Sequence, residues 1–256
     1  MKNIIALIQA RTGARRLPNK VLLPLGGKTV LECVMERVSR SQLVDEVAVV
    51  TTVAKDDLKI IERVSRNNVR VLCGSENDVL DRYYQAARLL EAKHIVRITA
   101  DCPLIDPALM DHVISAYLDQ QAHYCSNALT QTFPDGLDVE VFSFEALKRA
   151  WQNAKLPSER EHVTPYIRTH KRMFKVVSIE SSRMLGQHRW TLDEKNDYEF
   201  IKKIYQALYA KKPQFGFEDV LLYLKKNPSL LEINSGIVRN EGYAKSLKDD
   251  EAFVHG

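Results

Sequence analysis

Residues 3–20 read NIIALIQARTGARRLPNK, an apolar run followed at once by basic side chains. A continuous apolar run of this length is typical of a strand buried on both faces of a parallel sheet. The stretch after it holds three arginines within six residues and a single glycine. Loops that follow such strands are where α/β proteins bind phosphates. Residues 11–20 therefore have two interpretations, a solvated loop or an anion-binding site.

The first half of the chain repeats a strand–helix pattern. Apolar runs predict strands, and amphipathic runs between them predict helices. This alternation predicts an α/β fold with a doubly wound, mostly parallel sheet, in which ligands lie beyond the carboxyl ends of the strands. The strands are predicted at 3–10, 46–52, 69–74 and 94–101, and the helices at 29–41, 55–68, 76–92 and 106–121.

The pattern becomes less regular after His123. Strands are predicted within 124–143, at 173–181 and at 188–193, and helices at 143–154, 159–170 and 194–210. We interpret 1–211 as one α/β domain and 212–256 as a helical appendage of that domain. The polar tail RNEGYAKSLKDDEAFVHG, residues 239–256, is expected to be loosely ordered.

Composition excludes several classes of protein. A chain of 256 residues with 45% hydrophobic and 27% charged residues has an ordinary globular composition, and a net charge of +4 gives no sign of a nucleic-acid binder. Four cysteines without a C-x-x-C pair argue against a disulfide framework or a zinc site. No apolar run approaches a membrane span, and the start lacks a signal-peptide cleavage site. We therefore expect a cytoplasmic protein with no membrane partner.

The basic stretch matches neither common glycine-rich phosphate loop. GGKT at 26–29 has a P-loop ending, but the earlier glycine is replaced by Leu22, and Gly13 stands alone where a dinucleotide fingerprint needs several. Side chains must then supply much of the anion binding, through forked arginine donors and a lysine point charge. The candidates are Arg11, Arg15, Arg16 and Lys20.

Two aspartates are candidate metal ligands. Asp101 follows an apolar strand in RITADCPLID, and the next helix already has Asp106 as its cap. Asp193 follows the predicted strand of RWTLDEKND and opens a helix, so a capping role is the alternative there. Beside a basic loop the pair suits Mg²⁺ and a triphosphate. Thr99, at the end of the same strand as Asp101, joins the nucleotide-binding candidates.

A third group of polar residues supplies further candidates for binding a small-molecule substrate. In PDGLDVEVF, Asp138 and Glu140 share one face of a predicted strand, and a solvent-exposed face is the alternative explanation. His162, in SEREHVTPYI, lies near a helix start, where a histidine is more often structural than catalytic. The substrate-binding candidates are Asn127, Asp138, Glu140 and His162.

Several stretches resemble the cytidylyltransferases that activate sugar acids, including the acylneuraminate and 3-deoxy-manno-octulosonate enzymes, and most of all their spore-coat-polysaccharide branch. They occur in family order over about residues 1–210 and read IQARTGARRLPNKVLLPLGGKTVLECVMERV, GSENDVLDRYYQAA, RITADCPLIDP, FPDGLDVEVFSFEAL, EREHVTPYI and RWTLDEKNDYEFI.

This resemblance implies a Rossmann-like nucleotidyltransferase fold with a small β/helical dimerisation region, CTP and Mg²⁺ as partners, and a homodimer. It implies that Arg11, Arg16 and Lys20 hold the phosphates, that Asp101 and Asp193 hold Mg²⁺, and that Asp138 and Glu140 face the acceptor. The first family motif has a serine where this chain has Ala14, followed by Arg15, whose charge is expected to compensate for the lost hydroxyl.

The expected reaction is transfer of CMP from CTP to a sugar acid or related acceptor, with release of pyrophosphate. Arg11, Arg16, Lys20 and Asp101 are the expected catalytic residues. A nucleotide-sugar glycosyltransferase is the first alternative, but its usual Asp-x-Asp pair is replaced by Asp101-Cys102-Pro103. A nucleotide-binding regulator without catalysis is the second, and Ala14 is its only support.

Overall fold

The apolar run at the start of the chain forms β1, Ile4–Gln9, near the middle of a seven-stranded sheet. The computed structural model describes residues 3–237, 239 and 241–255. The other strands are β2 Pro24–Leu25, β3 Lys28–Thr29, β4 Glu46–Thr52, β5 Arg70–Gly74, β6 His94–Thr99, β7 Tyr124–Ser126, β8 Glu140–Ser143 and β9 Val176–Ser178.

Helices lie between the strands and extend beyond the last of them. The α-helices are α1 Val30–Val38, α2 Leu58–Arg66, α3 Val79–Leu89, α4 Pro107–Asp119, α5 Phe144–Asn153, α6 Pro157–His162, α7 Pro165–Thr169, α8 Lys195–Leu208, α9 Phe217–Lys226 and α10 Glu241–His255. None of the helices in the described ranges is long and apolar enough to cross a membrane.

The sheet has the order β5-β4-β1-β6-β8-β7-β9. β8 runs antiparallel to both of its neighbours, and the remaining pairings in this sheet are parallel. β2 and β3 form a separate two-stranded hairpin. The prediction of a mostly parallel, doubly wound sheet is therefore confirmed.

β1 is apolar from Ile4 to Ile8 because helices cover both faces of the sheet. Ile4, Ala6 and Ile8 belong to one buried cluster, whereas Ile5 and Leu7 belong to a second cluster on the opposite face. Alternate side chains of a strand point to opposite faces, so a strand between two helical layers has no position for a polar residue.

The strand order also fixes where a ligand can enter. β1 and β6 are neighbours, but the chain leaves β1 through α1 toward β4 and leaves β6 through α4 toward β7, on the other side. Neighbouring strands whose connections depart in opposite directions leave a crevice at their carboxyl ends. Residues 10–20 and 100–106 line this crevice.

The predicted strand at 188–193 is wrong. Arg189 makes an isolated parallel bridge with Asp135, and Leu192 N–H then donates to the Asp101 carbonyl at 2.8 Å. The segment therefore crosses from one loop to another, and its pairing with each of them is too short to form a ladder. Trp190, fully buried in the main core, fixes its position.

The predicted helix at 159–170 is divided into α6 and α7. Val163 lies between them with φ 70° and ψ −53°, and Thr164 N–H donates to the His162 carbonyl at 2.8 Å. These values describe a γ-turn, a strained conformation for a β-branched residue. Pro165 then starts α7 at a position where proline is tolerated.

The polar tail is not loose, because residues 241–255 form α10, which packs against α6. Its buried residues are polar: Ser246 contacts Glu161 and His162, and Asp250 accepts the Ser158 N–H at 2.8 Å. A helix that docks through hydrogen bonds lacks the apolar stripe that usually reveals one.

Candidate active site

Lys20 lies between the two predicted metal ligands. Its ammonium is 2.6 Å from Asp101 Oδ2 and 2.7 Å from Asp193 Oδ1, and the residue is 9% exposed. Burial alone lowers the pKa of Lys20, but the two carboxylates outweigh it and raise the pKa above its ordinary value. Burial likewise raises the pKa of Asp101, yet Lys20 lowers it to about 2. Lys20 and Asp101 are therefore both charged at neutral pH.

Asp193 is not the cap of the helix that follows it. α8 begins after Glu194, and the Asp197 carboxylate accepts the backbone N–H groups of Asp193 and Glu194, each at 3.0 Å. This leaves the Asp193 side chain to Lys20, to Arg189 at 3.0 Å and to Arg16 at 3.1 Å. The capping alternative for Asp193 is wrong.

Arg16 is surrounded by carboxylates. Besides Asp193, its guanidinium contacts Glu194 at 3.2 Å and Glu241, the first residue of α10, at 2.7 Å. More than a third of the side chain is still exposed. Arg16 and Lys20 therefore have fixed anionic partners, which the solvated-loop interpretation of residues 11–20 does not explain.

Arg11 and Arg15 are exposed in the same loop and form no salt bridge with any described residue. The loop around them is held by Thr12, whose N–H and hydroxyl donate to Asp57 Oδ1 at 2.7 and 2.6 Å. Burial raises the pKa of Asp57, but hydrogen bonds from Thr12 and Thr52 lower it overall. The exposed arginines thus extend from a backbone that a buried carboxylate fixes.

Arg82 of α3 is a cation at this edge of the sheet that the sequence analysis did not select. It is 1% exposed, and its Nη1 donates to the Ser75 carbonyl at 2.6 Å. Its Nε and Nη2 have no partner in the part of the chain that the structure describes. Burial, with Arg11 nearby, lowers the pKa of Arg82. A sequence signal for Arg82 exists, because it lies within GSENDVLDRYYQAA, one of the stretches that resemble the family.

Lys20, Asp101 and Asp193 together are called the Lys20 cluster. A pocket adjoins this cluster at the end of β6, where Thr99 lines the pocket two residues before Asp101. We call it the acceptor pocket, after the role that the family resemblance predicts for Asp138 and Glu140. Its charged and polar lining comes from β6 and β7, from β8 and the segment before it, from α6, α7 and the turn between them, and from the C-terminal segment: Arg97, Thr99, Tyr124, Asp138, Glu140, His162, Thr164, Arg168, Arg239 and Tyr243.

Glu140 is the most fully satisfied group in the acceptor pocket. It forms an ion pair with Arg97 and accepts hydrogen bonds from Tyr124 at 2.6 Å and from Thr164. Burial raises the pKa of Glu140, but Arg97 and these donors lower it overall. At 8% exposed, Glu140 does not lie on a solvent-facing strand, so that alternative is wrong.

Asp138 lines the same pocket but precedes β8. The pair therefore shares a site, as predicted, although Asp138 lies outside the strand. Arg239 donates to Asp138 Oδ1 at 3.0 Å. Burial raises the pKa of Asp138 to about 7, assisted by Asp135 and Glu140 and opposed by Arg239. Asp138 is thus the carboxyl group of this pocket that titrates near neutrality.

His162 is neutral in this environment, because burial lowers its pKa to about 4. Ser246 Oγ donates to Glu161 at 2.9 Å, so its single proton is used there. The contact at 3.0 Å between His162 Nε2 and Ser246 Oγ therefore has the imidazole as donor. Tyr243 packs edge-on against the ring.

Asn127 does not line the acceptor pocket. It is 1% exposed, its Nδ2 donates to the Leu137 carbonyl at 2.9 Å, and its Oδ1 accepts the Val139 N–H at 2.8 Å. Both ends of the amide are used by the backbone. The predicted substrate contact is replaced by a structural one that holds residues 137–139 in place.

Arg168 is the one pocket cation without a carboxylate partner among the described residues. Its guanidinium stacks over the Tyr243 ring at 4.7 Å. Arg97 and Arg239 are neutralised by Glu140 and Asp138. With His162 neutral and Asp138 only partly ionised near neutrality, the pocket retains at least one uncompensated positive charge, which favours an anionic ligand.

The chain is similar to known proteins over most of its length. A family model described as cytidylyltransferase matches residues 5–215. The spore coat polysaccharide biosynthesis protein SpsF of Bacillus subtilis is 33% identical over 235 residues, 89% of this chain and 96% of that protein. An uncharacterized protein of Methanocaldococcus jannaschii is 40% identical over 242 residues, 94% of this chain and 97% of its own. The solved structure of a cytidylyltransferase from Leptospira borgpetersenii serovar Hardjo-bovis superposes with a TM-score of 0.87 at 35% identity, covering 93% of this chain and 100% of that one.

Proposed function

The chain belongs to the cytidylyltransferase family, and from that premise we propose that it transfers CMP from CTP to a hydroxyl of a sugar acid or similar anionic acceptor. Membership confirms the resemblance inferred from the sequence and supports nucleotidyl transfer as the activity. The acceptor class, the metal and the roles of individual residues are the proposal.

One observation carries the proposal: the Lys20 ammonium lies between Asp101 and Asp193, at the crevice beside the acceptor pocket. Two carboxylates that converge on one cation also have the donor chemistry that Mg²⁺ prefers, with phosphate oxygens and water as further ligands. The described residues contain no group of three or more metal-ligating side chains, so substrate oxygens must complete such a site. Asp101 and Asp193 therefore fit Mg²⁺ in the presence of CTP.

The reaction requires the protein mainly to position the two substrates and to neutralise negative charge. The acceptor oxygen attacks the α-phosphorus, the bond between the α-phosphorus and the bridging oxygen breaks, and pyrophosphate leaves. Lys20, Arg16 and Arg11 neutralise the negative charge that grows on the leaving group, and Arg82 and Arg15 add to the positive potential at the same edge. Mg²⁺, when bound, supplies further charge neutralisation and lowers the pKa of a bound oxygen.

The charge of the acceptor pocket supports an acid as acceptor. A carboxylate would pair with the Arg168 guanidinium, which offers forked donors and has no competing carboxylate among the described residues. Asp138, Glu140 and His162 line the same pocket and are proposed to contact the sugar hydroxyls.

Two further properties belong to this proposal. A reaction that consumes CTP requires a compartment that supplies nucleoside triphosphates, so we propose a cytoplasmic location. The resemblance implies a homodimer, for which β7–β9 and α5–α7 form the proposed dimerisation region. Light scattering on the purified chain measures its oligomeric state directly.

The proposal is tested by pyrophosphate release with each nucleoside triphosphate, with and without Mg²⁺, across a panel of sugar acids and their neutral sugar counterparts. We expect release with CTP and an acidic acceptor, abolished by chelation of the metal. Release with no acid in the panel, or equal release with neutral sugars, would contradict the acceptor class. Cleavage of a nucleotide sugar without pyrophosphate release would favour the glycosyltransferase alternative.

A further inference from the structure

The C-terminal segment contacts both Arg16 and the acceptor pocket. The family model ends at residue 215, yet Arg239, Glu241 and Tyr243 all contact site residues. Arg239 donates to Asp138 and to the Phe133 carbonyl at 3.3 Å. Glu241 contacts Arg16, and Tyr243 packs on His162 and Arg168. The segment therefore links the phosphate-binding cations to the acceptor pocket.

This segment is attached differently from the helix before it. α9 inserts Phe217, Val220 and Leu224 into the main hydrophobic core. α10 instead buries Ser246 and Asp250, while Phe253 and Val254 are 59% and 64% exposed. Polar contacts of this kind each contribute about 0.5–1.5 kcal/mol, less than a buried apolar side chain. α10 can therefore separate from α6 without opening the core.

The contact between Glu241 and Arg16 competes with a nucleotide. Arg16 Nη1 faces both Glu194 and Glu241, so this nitrogen is already engaged when no phosphate is bound. A triphosphate carries more charge than a carboxylate and accepts the same forked donors. A phosphate that binds the Arg16 guanidinium must weaken the contact with Glu241.

We propose that Arg239 and α10 form a lid on the acceptor pocket, which CTP unlocks by taking Arg16 from Glu241. The inference rests on the proposed function, since it requires Arg16 to bind phosphate. Without nucleotide, the ion pair adds to the contacts that hold Tyr243 and Arg239 against the pocket. With nucleotide bound, the start of α10 is released and the acceptor enters more readily.

The test is hydrogen–deuterium exchange on the whole chain, with and without CTP and Mg²⁺ and in the absence of acceptor. We expect CTP to slow exchange in residues 11–20 and to speed exchange in 241–255 by at least about threefold. In the variant Glu241→Gln, exchange in 241–255 should already be fast, and CTP should add little to it. Glu251→Gln is the control, because Glu251 is an exposed carboxylate of the same helix.

Binding of CTP, measured by calorimetry, distinguishes a failure of the lid from a failure of the proposed function. Removing the competing carboxylate should tighten CTP binding by about two- to fivefold in Glu241→Gln, as expected for a partly exposed ion pair. If CTP protects 11–20 but exchange in 241–255 stays constant or slows, the lid is wrong and the proposed function stands. If CTP binds none of the proteins, the proposed function and the lid both fail.

Discussion

The Lys20 cluster and the acceptor pocket differ in how the chain builds them. Asp101 and Asp193 come from loops at one edge of the sheet, and Lys20 starts a short 3₁₀ helix in the connection that follows β1. The acceptor pocket combines β6 and β8 with a strained turn at Val163 and with Arg239 and Tyr243. One site is fixed by the sheet, whereas the other depends on segments that only tertiary packing brings together.

The two regions also differ in charge before any ligand binds. Lys20 and Arg16 have carboxylate partners, so a nucleotide must replace internal ion pairs or add to them. Arg168 has no carboxylate partner among the described residues, so an anionic acceptor gains a contact without breaking one. Changes in the first region should therefore affect turnover, and changes in the second should affect the affinity for the acceptor.

Asp101→Asn should have the largest effect. It removes a charge from the proposed metal site while Asp193 still holds Lys20 at 2.7 Å, so the fold should persist. We expect kcat to fall by about 10²–10³-fold or more, as for loss of a transition-state contact. Pyrophosphate release measures it, and Asp56→Asn, at an exposed aspartate, is the control. Near-normal release would show that Asp101 is not a ligand.

Arg168→Gln should raise the KM for the acceptor and leave the KM for CTP unchanged. A charge-assisted hydrogen bond contributes about 1.5–3 kcal/mol, so the expected increase is about ten- to a hundredfold. Arg172→Gln, at an exposed arginine of the following turn, serves as control. An equal change in both KM values would remove the proposed distinction between the two regions.

Arg15→Gln should have a smaller effect, confined to the nucleotide. Arg15 is exposed, and exposed charges contribute about 0–1 kcal/mol, so the KM for CTP should rise by about two- to fivefold. The difference should shrink at high salt, because salt screens exposed charges. Arg88→Gln, at an exposed arginine of α3, should change nothing. A salt-independent loss would point to a direct contact of Arg15.

Asp138→Asn should change how stability depends on pH. The pKa of Asp138 is about 7 in the fold against an ordinary 3.8, so between these values the folded state binds the extra proton. This contribution to stability therefore falls as pH rises from about 4 to about 7. Denaturant unfolding of both proteins across that range should show a steeper decline for the wild type. Parallel curves would contradict the raised pKa.

Several site residues were predictable because they lie in connections that follow predicted strands. Arg16, Lys20, Asp101 and Asp193 were selected from the sequence, and the structure brings them together. Asn127 was misassigned because sequence does not reveal whether an amide faces a pocket or the backbone. Arg82 was missed because its helix position predicts an ordinary surface cation, and only packing against Gly74 buries it.

The sequence by itself determined the doubly wound sheet and the location of its ligand edge, because apolar periodicity and chain direction are local properties. Tertiary structure decided the rest of the site. It placed Lys20 between two carboxylates that are 81 and 173 residues away in the chain. It also turned residues 241–255 from an expected loose tail into α10, since hydrogen bonds to α6 stabilise a helix that carries no apolar stripe of its own.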